Sequence, residues 1–119
     1  MHLTRYTDYA LRTLIYLGIN KGRSCTIPEI AERYQISKNH LMKIVHQLGR
    51  EGLIDTVRGR GGGLKLARPP QTVSVGEVVR LTEEDLNVVE CFDGTTNQCQ
   101  ISSACVLSSA IDNALAAFL

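Results

Sequence analysis

A chain of 119 residues, 44% apolar and 21% charged, has the size of one small domain and an ordinary globular composition, which excludes disordered and fibrous classes. No apolar run reaches the ~20 residues a bilayer crossing needs, and the opening Met1–Asp8 lacks the apolar stretch of a signal peptide, so a cytoplasmic chain with no membrane association is expected. The net charge of +1 conceals a split, because residues 1–70 carry 12 Lys/Arg against 5 Asp/Glu while residues 71–119 carry 1 against 7. A basic head on an acidic tail suggests a polyanion-binding half joined to something else.

In chain order, Tyr9, Ala10, Leu14, Tyr16 and Leu17 recur at a helical period, which predicts a helix over 7–20. Thr26-Ile27-Pro28-Glu29 then reads as a capping box with proline in the first turn, opening a short second helix to Tyr34. Ser37 is a fresh N-cap for a third helix from Lys38 to about Glu51, with Leu41, Ile44, Val45 and Leu48 on its apolar face. Over 53–68 the period changes to that of two short strands around Arg58-Gly59-Arg60-Gly61-Gly62-Gly63, a β-hairpin closed by Pro69-Pro70. Ser74 and Glu77 repeat the capping logic for a fourth helix to about Leu81. The polar segment 82–103 reads as loop. From about Ala104 a last helix spaces Leu107, Ile111, Leu115 and Phe118 by four, four and three, a narrow stripe suited to a partner helix.

Two helices joined by a tight turn and followed by a hairpin form a winged helix-turn-helix pattern, so the expected fold is mainly α with one small β-hairpin and a long C-terminal dimerisation helix. The polar start of the third helix offers Lys38, Asn39, His40 and Lys43, side chains that can donate to guanine, pair with adenine, or meet phosphate. The hairpin becomes a wing that lays Arg58 and Arg60 against the sugar–phosphate backbone or in the minor groove, with backbone near Gly61 free to approach phosphate. Ser37, Lys38, Asn39, His40, Lys43, Arg58, Arg60 and Gly61 are therefore the candidate DNA-contacting set. The usual turn glycine is Gln35 here, a departure that costs about 1 kcal/mol if φ must be positive. A phosphate-binding loop at Gly59–Gly63 is ruled out, since the run has no Gly-Lys-Ser/Thr ending and does not lead directly into a helix.

Four cysteines remain. Cys25 stands alone and reads as a small buried hydrophobe. Cys91, Cys99 and Cys105 form a set whose gaps are wider than the paired spacing of zinc sites. On spacing alone an iron–sulfur cluster, a zinc ion and a redox pair of thiols all remain open. No nucleophile–base set or cofactor loop points to an enzyme; His2, His40 and His46 lie in the N-terminus and the third helix.

Three stretches, Leu3–Arg12, Ser37–Val45 and Val57–Gly63, together with Val89-Glu90-Cys91-Phe92 and the two later cysteines, resemble the Rrf2 family of bacterial winged-helix regulators, most closely its nitric-oxide-sensing branch. That resemblance covers essentially the whole chain. It implies a homodimeric repressor on a palindromic double-stranded DNA operator, holding an iron–sulfur cluster (4Fe-4S favoured over 2Fe-2S) through Cys91, Cys99 and Cys105. It also implies that Asp8 of the partner subunit completes the site and that nitric oxide is the signal. The isc-operon branch uses a His three residues after its last cysteine, where this chain has Ser108. The implied organisation is a DNA-binding domain over 1–81, a cluster-binding loop over 82–105 and a dimerisation helix over 104–119. Family members usually continue some tens of residues past that helix, so an exposed dimer helix is expected of a chain ending at Leu119. The alternatives are an iron- or cluster-status regulator of the same family, or a zinc or thiol-redox protein whose basic head binds another polyanion.

Overall fold

The computed structural model describes residues 2–119 and is a winged helix-turn-helix with five α-helices and one two-stranded antiparallel hairpin. Helix α1 (Arg5–Ile19) begins two residues earlier than its apolar period suggests. The cause is Thr4, whose side chain accepts from the Thr7 amide while Glu83 receives the Thr4 amide at 2.8 Å. Thr4 is a local capping signal, whereas its tie to Glu83, 79 positions away, leaves no local signature. Helix α2 (Ile27–Tyr34) carries the expected reciprocal capping box between Thr26 and Glu29.

Gln35 follows in the left-handed region at φ 57°, ψ 46°, as the turn requires, and its Nε2 donates to the Glu32 carbonyl at 2.8 Å. Ser37 then caps α3 (Lys38–Arg50) by accepting from the His40 amide. Strands β1 (Ile54–Val57) and β2 (Gly63–Leu66) pair in the register Ile54 opposite Leu66 and Val57 opposite Gly63. Helix α4 (Val75–Thr82) starts at Ser74, which accepts from the Glu77 amide. The segment read as loop contains two 3-10 turns, Glu90–Phe92 and Ser102–Ala104, and α5 (Val106–Phe118) begins two residues later than its predicted start.

The core lies where α1 crosses α3 and α4 and β2 closes from below. Ala10, Leu14 and Leu17 of α1 meet Ile30 of α2, Leu41, Ile44 and Leu48 of α3, Leu53, Leu64 and Val78. Full burial of such a side chain is worth about 1.5–3 kcal/mol, which is what locks α2 and α3 at their angle. Two polar side chains, Thr7 and Thr13, are fully buried, and both are bonded: Thr13 donates to the Tyr9 carbonyl at 2.7 Å and Thr7 meets Thr82 at 2.8 Å. Helix α5 has no buried residue: Leu107 is 65% exposed and Phe118 45%, while Ile111 and Leu115 are half-buried.

Candidate nucleic-acid interface and cysteine segment

The N-terminal turn of α3 is a presented surface. Ser37, Lys38, Asn39 and Lys43 are exposed, because the apolar positions Leu41, Ile44, Val45 and Leu48 turn the opposite face inward. His40 is different. Its ring is half-buried, edge-on to Tyr9 at 5.2 Å and tilted on Tyr6 at 5.9 Å between centroids, so packing against α1 fixes its orientation. Residues Met42, His46 and Arg50 extend this surface along a second stripe and, with Asp55 and Thr56 of β1, line a shallow groove between α3 and the hairpin. Their four-residue spacing from Lys38 is the sequence signal that marks them as the same side of the helix.

The hairpin tip leaves Arg58, Arg60 and Gly61 exposed, with Gly61 at φ 71°, a conformation that L side chains rarely adopt. Among the described residues, Lys38, Lys43, Arg58 and Arg60 take part in no ion pair, which leaves their charge available to a polyanion. The hairpin does not hang free. Cys25 forms an antiparallel bridge to Leu64, with Cys25 N–H donating to Leu64 O at 2.9 Å and Leu64 N–H to Cys25 O at 2.6 Å. That approach is possible because position 63 has no side chain: a Cβ on Gly63 would sit 2.5 Å from the Cys25 carbonyl oxygen. Cys25 itself is fully buried, and burial pushes its thiol up from the ordinary value, as expected of an inert hydrophobe.

Directly before this bridge, Arg23 closes a fork on Glu29 at 2.9 and 3.0 Å, and Tyr16 donates to the same carboxylate at 2.9 Å. Hydrogen bonding from Arg23, joined by the Thr26 amide, holds the Glu29 carboxyl at about 2. The α1–α2 connection, the capping box and the wing root are thereby one polar assembly.

Cys91, Cys99 and Cys105 are free thiols, each half-buried, spread from the first 3-10 turn to the start of α5. The segment between them is held by its own polar side chains. Asp93 accepts from Thr95 and Thr96, Glu90 accepts the Gln98 amide, and Asn97 accepts the Cys99 amide at 2.9 Å. Ser108 donates to the Cys105 carbonyl at 3.0 Å, a role at the start of α5 rather than a ligand position. Among the described residues, no three His, Cys, Asp or Glu side chains converge into a metal-holding group, so the expected set Cys91, Cys99 and Cys105 is not gathered here. Asp8, on the first turn of α1, is half-exposed and pairs with Arg12 at 3.0 Å. Arg12 also lies 6.0 Å over Tyr9 and 5.9 Å over Tyr34.

Comparison with known proteins places these features. Residues 3–119 match the Rrf2 family, described as iron-dependent transcriptional regulators. A Bacillus subtilis protein named HTH-type transcriptional regulator NsrR is 52% identical over the whole chain and 82% of its own length. Its Bacillus licheniformis counterpart of the same name is 48% identical over 84% of its length. Among solved structures, CymR, the global cysteine regulator of B. subtilis, superposes over the whole chain and 89% of its own with a TM-score of 0.78 at 23% identity. T. potens IscR covers 99% of the chain and 80% of its own at 0.74 and 23%; at such identities the likeness speaks for the fold.

Proposed function

The chain belongs to the Rrf2 family of transcriptional regulators, and on that premise we propose that it is a repressor that binds a palindromic operator, holds an iron–sulfur cluster and lets go of its DNA when nitric oxide reaches that cluster. One observation carries the reading: a single polypeptide joins an exposed basic surface free of ion pairs to a polar segment bearing three free thiols, and that segment leads straight into an apolar helix with no buried residue. Family membership itself makes the chain a transcriptional regulator and not an enzyme.

The N-terminal turn of α3 enters the major groove with Lys38, Asn39 and Lys43, while Ser37 and the wing residues Arg58, Arg60 and Gly61 fix the register on the phosphates. His40, steadied by Tyr6 and Tyr9, approaches from the flank of α3. Two protomers present two such heads, so half-sites lie one helical turn of about 34–36 Å, or a multiple of it, apart. The exposed Val106, Leu107 and Phe118 of α5 and an apolar groove formed by Leu11, Ile15 and Ile19 of α1 with Val73 and Val75 support the homodimer, since both leave apolar surface for a second copy to cover. The chain works in the cytoplasm, where its operator is; no helix among the described residues is long and apolar enough to cross a membrane.

The donor set fits an iron–sulfur cluster: three thiols on one segment held mainly by short-range polar bonds at or near the surface, cheap to rearrange when the thiols gather. Cys91, Cys99 and Cys105 would hold it, and Asp8 of the partner subunit would complete the site. When bound, the cluster supplies an iron whose carboxylate ligand is harder and more replaceable than thiolate, which is where nitric oxide would gain access. The chain's own part is to commit Asp8 away from Arg12. Arg12 keeps its place between Tyr9 and Tyr34 when that happens. The donor set accommodates a 4Fe-4S or a 2Fe-2S cluster, and we favour the former.

The test is a DNA-binding titration of the anaerobically purified dimer, with nitric oxide and with an iron chelator in separate series. Release by stoichiometric nitric oxide supports the reading. Release by the chelator alone supports an iron-status regulator, the reading that the family's iron-dependent description favours. A colourless protein with one tightly bound zinc defeats both. Cys91→Ala, Cys99→Ala or Cys105→Ala should each strip iron and sulfide, and Cys25→Ala should not.

A further inference from the structure

We propose that Gln47 is a positioning residue of the operator-binding state, tying the recognition helix to the end of α4 from which the cysteine-bearing segment departs; this rests on the DNA-binding and thiol-sensing reading above. Gln47 lies on the third turn of α3, half-buried, and its amide reaches two other elements. Its Oε1 accepts from the Tyr6 hydroxyl at 2.6 Å, and its Nε2 donates to the Leu81 carbonyl at 2.6 Å. A backbone carbonyl can only accept, so the amide nitrogen must face Leu81 and the oxygen Tyr6. Leu81 is in the last turn of α4, where carbonyls lack intrahelical donors. The recognition helix therefore supplies the C-terminal cap of α4.

The next two residues make further ties. Thr82 donates to Val78 O at 2.8 Å and receives the buried Thr7 hydroxyl at 2.8 Å. Glu83 accepts from the Thr4 amide and hydroxyl at 2.8 and 3.1 Å, capping α1 one turn before Asp8. Three consecutive residues thus fasten α4 to α3, to the interior of α1 and to its start. Immediately beyond them the chain enters the acidic stretch that leads to Cys91. Tyr6 also touches His40, so the first and third turns of α3 both lean on one tyrosine whose hydroxyl is held by Gln47. A rearrangement of the thiols that shifts residues 84–90 pulls on Leu81, Thr82 and Glu83. Of those three, only Leu81 is bonded directly to a side chain of the helix that reads DNA.

A packing role alone would make loss of Gln47 weaken operator binding equally in every state of the cysteines. The positioning role makes the difference between states shrink. Operator affinity is measured for the dimer with its cluster and after chelator treatment, in wild type and in Gln47→Met. The ratio of the two affinities should fall at least about fivefold in the variant. A second readout uses metal-free protein: hydrogen exchange of the α3 amides from Lys43 to Arg50, before and after iodoacetamide alkylation of Cys91, Cys99 and Cys105. Exchange should rise about threefold on alkylation in wild type and in Tyr6→Phe, which leaves the Leu81 bond intact, and stay unchanged in Gln47→Met. If Gln47→Met does not fold, Gln47→Glu, which retains the acceptor for Tyr6 but sets a charged acceptor in place of the donor to Leu81, must show the same loss. An unresponsive wild-type α3, or a Gln47 variant with the wild-type ratio and response, overturns the proposal. Wild-type operator affinity indifferent to the thiols, with an exchange response that still requires Gln47, would instead sink the operator reading and leave the coupling standing.

Discussion

Gly63 is the position at which one methyl group should do the most damage to the wing. An alanine Cβ there would lie 2.5 Å from the Cys25 oxygen and 3.0 Å from its carbonyl carbon, both backbone atoms that cannot swing aside. Restoring ordinary contact moves β2 away from Cys25 by roughly 1 Å. That retreat stretches both bonds of the Cys25–Leu64 bridge, at 2.9 and 2.6 Å, beyond useful length. Each backbone bond is worth about 0.5–1.5 kcal/mol net, and Leu64, only 3% exposed, is drawn partly out of the core. Gly63→Ala should therefore destabilise the fold by about 3 kcal/mol, a melting temperature roughly 12 °C lower for a domain of this size. Gly61→Ala is the internal control: it meets nothing within 4 Å, so only the strain of its positive φ, about 1 kcal/mol, should appear. Thermal unfolding of both variants, with hydrogen exchange at the Leu64 amide, measures the difference. Equal losses in the two variants, or a protected Leu64 amide in Gly63→Ala, would refute the claim that the bridge holds the wing.

Further outcomes follow from the same structure. Arg60→Ala should lower the salt dependence of operator binding by one phosphate contact, a change of about 0.9 in the slope of log affinity against log salt; an unchanged slope removes Arg60 from the interface. The Glu29 carboxyl, held by Arg23 at about 2 instead of the ordinary 4.5, adds stability that is full above the ordinary value and drains away as the pH falls toward 2. Acid denaturation followed from pH 6 to 2 should accordingly be shallower in Glu29→Gln, and an identical acid limb would contradict the fork. Gln35→Gly should raise stability by at most about 0.5 kcal/mol, because relief of about 1 kcal/mol of strain at φ 57° is largely offset by loss of the exposed bond to the Glu32 carbonyl; a clearly less stable variant in chemical denaturation would show that this bond outweighs the strain.

Local chemistry made much of this architecture legible. Thr26 with Glu29, Ser37 and Ser74 announce helix starts because a cap and its partner lie within three residues, and the apolar period of Leu41, Ile44, Val45 and Leu48 identifies the inner face of α3 without knowledge of what covers it. Gln35 was legible too, since the turn demands a left-handed residue whatever side chain stands there. What escaped depends on residues far apart. The Cys25–Leu64 bridge is a single pair with no periodicity, and the Thr4–Glu83 cap spans almost the whole chain. Nothing local distinguishes Gln47, and only the fold brings Tyr6 and Leu81 to either end of its amide. His40, by its place on the helix a base-contacting candidate, is packed on Tyr6 and Tyr9 only through the crossing of α1 over α3. The three later cysteines were recognisable as a set by type, but ligand convergence is a property of a closed segment, and spacing alone does not encode it.

The uncovered α5 has a consequence for how this molecule would be handled. A helix of thirteen residues with none buried contributes little to a lone chain, because isolated helices of about that length are marginal in water. In the proposed homodimer its order would be bound to mass action: each doubling of protein concentration would favour the state in which a second copy covers the exposed Val106, Leu107 and Phe118. Melting measured at micromolar and at hundredfold higher concentration should give two different midpoints, and the size of that gap is a direct reading of how much of the fold belongs to the pair.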